Sequence, residues 1–556
     1  MDESPNVQRY MLVRFTEKSV IWRKTLLIGN IIPLVILNNG RERFWPESGE
    51  FKEDNKLEIL INSSIDYKAM TKIMVNRLKV VVGNIISPFQ NGFVPGRNIH
   101  ENIVIAHEML HSMAKMRGNK GFFVIKVDLA KAYDRIDWRF IENVLNEMSL
   151  LYNMIRFIME CVTSVKTNVM WNGSRANYFK PRRGIRQGDP MSLYLFVLCM
   201  DKLSHLVTEE VDKGLWIPMK AGRNGPIISH LMFADDLLLF GQATHNTMNS
   251  VMNTLTKFCQ MSGQQVNHTK TSIFYSKNVS RPIRDDLNAL SSFTEASSLG
   301  NYLGVPALGR KPRSNDFYYL IDKVKNRLAG WKAKQLSMAG RITLAKSVIQ
   351  AILIYPMMSM QVPRSCLDDI EKIQCSFIWG DTENVKKLHT IGRNTMILPK
   401  YLGGLDIRNL RIMNDACLMK LGWNLRTKKE SLWTQVLWGK YVRDGNATTE
   451  LVVKLTDSNL WKTIADLWPI LIEHEYWAVG NGSSINFWTD KWLDDNTRIG
   501  DLVSVIPEEA RGWKVSDVVT NEGEWNFDLI STTTPGDVIN KLRSVVPPGL
   551  PIMIMS

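Results

Sequence analysis

The sequence predicts an α+β protein whose second half is mostly helical, and three observations lead there. Two short apolar runs, Phe122 to Leu129 and Leu231 to Gly241, read as strands among stretches of helical spacing. Between residues 315 and 380 the spacing is helical throughout. Ten of the seventeen tryptophans then fall between Trp423 and Trp525, with no period that would make a repeat array.

Residues 1–57 are irregular, with a loop-like stretch from Pro46 to Glu50 and a polar run from Glu50 to Lys56. Leu26 to Leu37 is apolar but short, is broken by Gly29, Asn30 and Pro33, and falls under the roughly 20 residues that span a bilayer. No cleavable signal pattern is present, so an intracellular protein of the nucleus or cytoplasm, away from membranes, is expected. Tyr67 to Val82 has helical spacing through Met70, Ile73, Met74, Leu78 and Val81. Phe122 to Leu129 is β-rich and carries Asp128 near its end, and Asp137 to Met148 is again helical. Thr167 to Trp171 and Tyr178 to Lys180 predict a hairpin around Asn172-Gly173. Pro190 opens an apolar helix through Leu206, as proline does at a first turn. Thr247 to Met261 is a helix stopped by Gly263. The Trp-rich region reads as small helical units with aromatic cores, stacking on single-stranded bases being the alternative.

The chain carries 69 Lys and Arg against 55 Asp and Glu, a formal charge of +14. Such an excess points to a polyanionic partner, nucleic acid first and a membrane surface second. Half of it sits between Lys311 and Lys346, where nine basic residues face two aspartates. The six cysteines are scattered with no Cys-x-x-Cys pair, which argues against a disulfide framework or a zinc site.

Chemistry is carried by carboxylates. Asp235 and Asp236 interrupt the apolar run Leu231 to Gly241, which reads as a buried strand pair. Desolvating an unpaired carboxylate there costs on the order of several kcal/mol, and a bound cation removes that cost. With Asp128, they supply three carboxylates on two strands, the minimum for two Mg²⁺ ions roughly 3.5–4 Å apart in phosphoryl transfer. Between them lies Arg183-Gly-Ile-Arg-Gln-Gly-Asp-Pro190. Gly184 and Gly188 allow close backbone approach, while Arg183, Arg186 and Gln187 suit phosphate or a base edge. The same residues also read as a basic turn with Asp189 as helix cap.

These segments carry a resemblance. Lys126-Val-Asp-Leu-Ala-Lys-Ala-Tyr-Asp-Arg135, Arg183 to Pro190 and Phe233-Ala-Asp-Asp236 stand in the order and spacing of three reverse-transcriptase motifs. Further matches are Gln90 to Arg97, Ser262 to Thr271, Tyr302 to Pro306, Gly330-Trp-Lys332, Trp477 to Gly482 and Phe487 to Leu493. From about Tyr67 to Leu493 the chain resembles the reverse transcriptases of plant non-LTR (LINE-type) retrotransposons. The resemblance implies a right-hand polymerase: an antiparallel palm sheet with packed helices, partial fingers, a helical thumb and a Trp-rich, mostly α-helical C-terminal region. It divides the chain into a degenerate segment 1–57, fingers and palm 58–307, a basic thumb or connection 308–420, and the region 421–556.

The resemblance also implies roles. Asp128, Asp235 and Asp236 would hold two Mg²⁺ (or Mn²⁺ as substitute), with the Leu129 carbonyl a further ligand. Tyr133 would pack under the incoming sugar and disfavour a 2′-hydroxyl, a core aromatic being the plain reading. Gln187 and Gly188 would contact template and nascent pair, and Lys270 would protonate pyrophosphate, unless it is a surface lysine. Arg97 would be a fingers contact or an ordinary turn arginine, and Tyr302 to Pro306 a primer-grip hairpin. The implied partners are an RNA template, a DNA primer and dNTPs.

One departure is chemical. Where the family usually carries Arg-Pro-Ile-Ser-Leu, with its arginine holding the incoming triphosphate, an ungapped alignment sets Glu58-Ile-Leu-Ile-Asn62. That reverses a charge, so weak extension or none is expected, and a nucleic-acid-binding remnant is the alternative to an active polymerase. A nucleotidyl cyclase or RNA-dependent RNA polymerase is disfavoured by Tyr133 and by the alanine in Phe-Ala-Asp-Asp. The length before residue 57 and after Leu493 leaves no room for the family's endonuclease or ribonuclease H, so a truncated retroelement product is expected.

Overall fold

The computed structural model describes residues 64–329, 336–381, 385–427, 430–442, 451–494, 497–520 and 522–547. Glu58, the segment 1–57 and Gly330-Trp-Lys332 therefore lie outside the described residues.

Helix α1 (Ser64–Ile85) and helix α2 (Ile99–Lys115) precede strand β1 (Phe122–Val127). Helices α3 (Trp138–Glu147), α4 (Tyr152–Thr163) and α5 (Pro190–Asp212) follow, then the hairpin of β2 (His230–Phe233) and β3 (Asp236–Gln242). Helix α6 (His245–Ser262), strand β4 (Ser272–Tyr275), helix α7 (Arg281–Ser291) and strand β5 (Thr294–Glu295) complete this half. The elements expected from spacing are present, and their ends carry the expected caps. Asp189 accepts from Met191 N ahead of Pro190, and Gly263 ends α6 in the left-handed conformation at φ 74°.

The strands form one sheet in the order β2-β3-β1-β4-β5. Four are antiparallel as expected, but the edge pair β4–β5 is parallel, so the sheet is mixed. A helix crosses between those two strands, and that connection permits parallel pairing.

Both faces of the sheet are covered, which explains why β1 and β3 read as nearly continuous apolar runs. On one face Phe123, Ile125, Val127, Leu237 and Leu239 pack with the buried sides of α1, α3, α5 and α6. On the other, Val124, Leu231, Leu238 and Phe240 pack with α2 and with three helices from far along the chain. These are α12 (Leu410–Thr427), α13 (Leu432–Tyr441) and α14 (Asn459–Glu473), after a separate block of α8 (Tyr318–Ala329), α9 (Met338–Leu344), α10 (Gln350–Met357) and α11 (Arg364–Trp379). That block has its own core, from Phe317 to Met413, which reaches Ile103 of α2 and Val305. Leu418 and Leu421, on either side of the expected boundary at 420, share α12 and one cluster with the sheet. Two helical stretches, Pro190–Asp212 and Met338–Met357, are long and apolar enough to cross a membrane; the first is largely buried in the core.

The Trp-rich region departs from a mostly α-helical expectation. Up to Glu473 the region is carried by α12, α13 and α14, but beyond Glu473 the described chain runs as loops, short 3₁₀ turns and two brief helices, Phe527–Ser531 and Gly536–Leu542. Indoles stand in for regular backbone pairing there. The Nε1 groups of Trp488, Trp492 and Trp525 donate to the carbonyls of Ala510, Phe487 and Val545, so each ring fills the core while its polar edge ties two loops together.

One buried network fastens α13 and α14 to the sheet's outer layer. Glu108 of α2 is 1% exposed. Its carboxylate accepts from Lys440 Nζ at 2.7 Å, Tyr441 OH at 2.5 Å and Ser458 Oγ at 2.6 Å. Burial alone would raise the Glu108 pKa, but the Lys440 charge and these three donors outweigh it and the net shift is downward. Close by, Gly439 meets Gly225 backbone to backbone, where an added Cβ would lie 2.2 Å from Gly225 Cα. Glu108→Ala leaves the Lys440 ammonium buried without its partner and is expected to destabilise the fold by about 3–5 kcal/mol in chemical denaturation. Because the folded pKa is depressed, this contribution is present above the ordinary glutamate range and fades as pH falls through the folded value. A denaturation midpoint within error of wild type at pH 7 would contradict the role.

Candidate active site

The three carboxylates are placed by strand register. Val127 pairs with Leu237, so the next position sets Asp128 opposite Asp236. Phe233 pairs with Asp236, leaving Ala234 and Asp235 as a two-residue turn. Asp235 and Asp236 are exposed at this tip and Asp128 is half-buried. The acidic pair is therefore not sunk in the apolar hairpin as its sequence context suggests. Water at the turn carries most of the solvation that a buried position would remove.

Repulsion remains. The Asp236 carboxyl is raised above the usual aspartate range, first by partial desolvation, then by the charge of Asp235 and, more weakly, of Asp128, against the attraction of Lys126. Lys126 lies two residues before Asp128 and so on the same face of β1. Its ammonium donates to the Asn301 carbonyl at 2.5 Å. It was not among the residues singled out from sequence, although its spacing from Asp128 could have marked it. Asn301 belongs to the hairpin Asn301–Tyr302 with Val305–Pro306, which places the expected primer-grip segment beside the carboxylates.

The turn itself is strained and clamped. Ala234 holds φ 55°, uncommon for a residue with a side chain. Its N–H donates to Gln90 Oε1 at 3.0 Å, and the same oxygen accepts from Gly92 N at 2.9 Å. Gly92 must be glycine, since a Cβ would stand 2.4 Å from Ala234 N. Asn102 Nδ2 donates to the Met232 carbonyl at 2.8 Å, and Asn91 Nδ2 donates to Asn102 Oδ1. The sequence marked the Gln90 to Arg97 segment without showing that it holds the acidic turn, because that contact spans 144 residues.

Arg97 lies in the same segment but faces inward. Its Nη1 and Nη2 donate to the carbonyls of Ser87, Gln90, Gly83 and Ile86. It closes the C-terminal end of α1, where carbonyls lack helical partners. Of the two roles expected for it, the geometry is that of the turn arginine.

Other expected residues gather at the acidic tip. Tyr133 stacks on Phe196 of α5 with ring centroids 4.3 Å apart. Burial, and secondly the charge of Asp235, push its hydroxyl pKa up to about 12. The loop with Arg183, Arg186, Gln187 and Gly188 is exposed, and it is stitched to the Tyr133 turn by Ile185 N on Tyr133 O and Gly184 N on Ile136 O. Gly184 has φ +84°, and a Cβ there would lie 2.8 Å from the Asp134 carbonyl. Arg186 lies over the Tyr67 ring, whose hydroxyl donates to Asp189 at 2.5 Å. Lys270 is exposed in a turn whose Asn267 N donates to the Asp128 carbonyl at 2.8 Å. Leu129 bridges Val266, with flanking bonds from Ala130 N to Gln265 O and from Asn267 N to Asp128 O. In such a pair the Leu129 carbonyl points away from Val266, toward the β3 side.

Comparison with known proteins gives a family match over the same part of the chain. Residues 52–307 match the family described as reverse transcriptase (RNA-dependent DNA polymerase). This segment resembles reverse transcriptases. The chain is 33% identical over 252 residues to a putative ribonuclease H protein of Arabidopsis thaliana, covering 44% of this chain and 39% of the relative. It is 25% identical over 377 residues to an uncharacterized 149 kDa protein of transposon TX1 from Xenopus laevis, covering 66% of this chain and 27% of the relative. It is 30% identical over 174 residues to a retrovirus-related Pol polyprotein from the type-1 retrotransposable element R2 of Popillia japonica, 31% of this chain and 28% of the relative. The chain thus spans well under half the length of each of these relatives. The matched segment is similar to the reverse-transcriptase regions of retroelement proteins.

Reverse transcriptases as a family use divalent ions such as Mg²⁺. Among the described residues no three Asp, Glu, His or Cys side chains form a ready-made cage. The donors nevertheless fit such an ion: hard carboxylate oxygens, mutually repelling, at an open turn where waters and phosphates can complete the shell. Asp236→Asn relieves that repulsion. A raised acid pKa means that the folded protein loses stability as pH rises through the aspartate range, so in chelator at pH 7 this variant is expected to melt above wild type. The gain shrinks toward pH 4, and added Mg²⁺ raises the wild type more than the variant. Identical melting curves in chelator and in Mg²⁺ would argue against a repulsive, cation-binding tip.

Proposed function

We propose that this chain extends a DNA primer on an RNA template, consuming dNTPs, with Asp128, Asp235 and Asp236 as the ligands of two Mg²⁺ ions. The observation that carries the reading is the register that sets Asp128 opposite Asp236 beside a clamped turn holding Asp235. When bound, the ions would lower the pKa of the attacking 3′-hydroxyl and offset charge on the triphosphate. The Leu129 carbonyl, which points away from Val266, is the candidate further ligand. Tyr133, held flat on Phe196, presents its half-buried ring beside Asp235, where it would pack under the sugar of the incoming nucleotide and disfavour a 2′-hydroxyl. Gln187 and Gly188 lie on the exposed loop stitched to that tyrosine, suited to template and nascent pair, with Arg183 and Arg186 for phosphate. Lys270, one turn from the Asp128 main chain, is the candidate proton donor to pyrophosphate.

Glu58 favours a second reading, a nucleic-acid-binding remnant that has lost its chemistry. In the ungapped alignment it stands at the position of the family's phosphate-binding arginine, and Arg97 is held in the α1 terminus. With primed RNA, dNTPs and Mg²⁺, slow extension is expected, abolished by Asp235→Ala. No extension, together with salt-sensitive RNA binding, would overturn the polymerase reading and leave the remnant. Glu58→Arg is expected to increase extension roughly tenfold or more, the gain of a charge-assisted phosphate contact. An unchanged rate would dismiss the electrostatic account of the loss.

A further inference from the structure

The hairpin between α4 and α5 has no role in the site as described so far, and its surface is unusual in two ways. Between Lys166 and Arg182 there are four Lys and Arg and no acidic residue. It also exposes apolar side chains in quantity: Met170 and Tyr178 are each 67% exposed, and Val169 and Phe179 each 51%. Val169 and Met170 are neighbours on one strand and so point to opposite faces. These four described side chains therefore leave apolar surface open on both faces of the ribbon.

Its backbone is nonetheless ordered. Thr167 and Phe179 exchange both main-chain hydrogen bonds at 2.8 and 2.9 Å, and Met170 pairs with Arg175 across an Asn172-Gly173 turn. The register shifts by one residue between those pairs, so a bulge twists the ribbon. A two-stranded ribbon is marginally stable by itself, and exposed apolar groups of this kind mark a binding surface. The return strand runs from Phe179 into Arg183 and the loop bonded to Tyr133, so the ribbon is joined through that loop to the tyrosine that feels the charge of Asp235.

We infer that this hairpin is a binding site for single-stranded nucleic acid, holding the unpaired template ahead of the acidic tip. Aromatic rings interleaved with cations are the chemistry that stacks bases and tracks a phosphate backbone without reading sequence. Lys166, Lys180 and Arg182 are not engaged by any acid within the sequence stretch, whereas a protein partner of matching apolar face would have to bring its own acids. The inference deepens the reverse-transcriptase reading of the neighbouring site and rests on it.

The test uses the full chain in chelator, without dNTPs, so that binding is separated from chemistry. Two RNA–DNA duplexes are compared by fluorescence anisotropy, one blunt and one with an unpaired 5′ RNA overhang. Tyr178→Ala with Phe179→Ala is expected to weaken overhang binding about tenfold or more while blunt binding holds. Lys180→Ala with Arg182→Ala is expected to lower the salt slope for the overhang by about 1.4. Thermal melting of both variants should match wild type. Overhang affinity equal to wild type in both variants overturns the inference, as does an equal loss on the blunt duplex. A change in self-association with unaltered RNA affinity overturns it in favour of a protein-docking surface. Asp235→Ala keeps the two readings apart: extension should vanish while overhang preference survives. If wild type does not extend, a selective overhang loss in the hairpin variants still supports the binding site while the polymerase reading falls.

Discussion

The pairing of β1 with β3 is the constraint on which the rest depends. A register slip of one residue would turn Lys126 and Asp128 onto the face that packs with α5 and α6, or else carry Leu237 and Leu239 off it. Because both faces of the sheet are packed, such a slip keeps apolar residues covered but presses charged groups among apolar side chains, which is costly. The same burial that selects the register therefore sets Asp128 opposite Asp236. Charge is tolerated at this one end because the strands stop there and the turn meets water.

Around that end, order is maintained against local preferences. Ala234 in a left-handed conformation and three neighbouring carboxylates are each unfavourable alone. Gln90 offsets the first by accepting from the two N–H groups that the turn and its neighbour present. Lys126 offsets part of the second and links it to the hairpin at Asn301. The arrangement keeps the carboxylates apart from full neutralisation, which is the condition under which a divalent cation gains most from binding. Glu108 does comparable work at a distance, since its buried charge is satisfied only when Lys440, Tyr441 and Ser458 are all in place. That makes the docking of α13 and α14 specific as well as apolar.

The chain also divides its basic surface by purpose. Arg97 and Arg426 are turned inward, one onto main-chain carbonyls and the other onto Glu475. Lys166, Lys180, Arg182, Arg183 and Arg186 stay outward. An excess of +14 over the whole sequence does not by itself say which charges are available to a polyanion. Folding makes that choice by using some guanidinium groups to satisfy carbonyls that helix ends leave unpaired.

Much of this was legible beforehand. Local signals sufficed for the helices and their caps, for the hairpin at Asn172-Gly173, and for the strand that runs to Asp128, because each depends on residues a few positions apart. The motif order from Lys126 to Asp236 pointed to a reverse transcriptase, and residues 52–307 match that family. The mostly helical expectation failed beyond Glu473, where indole hydrogen bonds, invisible to periodicity, hold loops together. What the sequence by itself determined is the set of elements and the identity of the acidic residues, since these follow from short-range pattern and side-chain chemistry. Only the tertiary structure decided that the acidic pair is solvated, that Gln90 holds its turn, that Arg97 caps a helix, and that distant helices cover the sheet. Each of those depends on residues far apart in sequence meeting through the burial of apolar surface, and no local pattern encodes such a meeting.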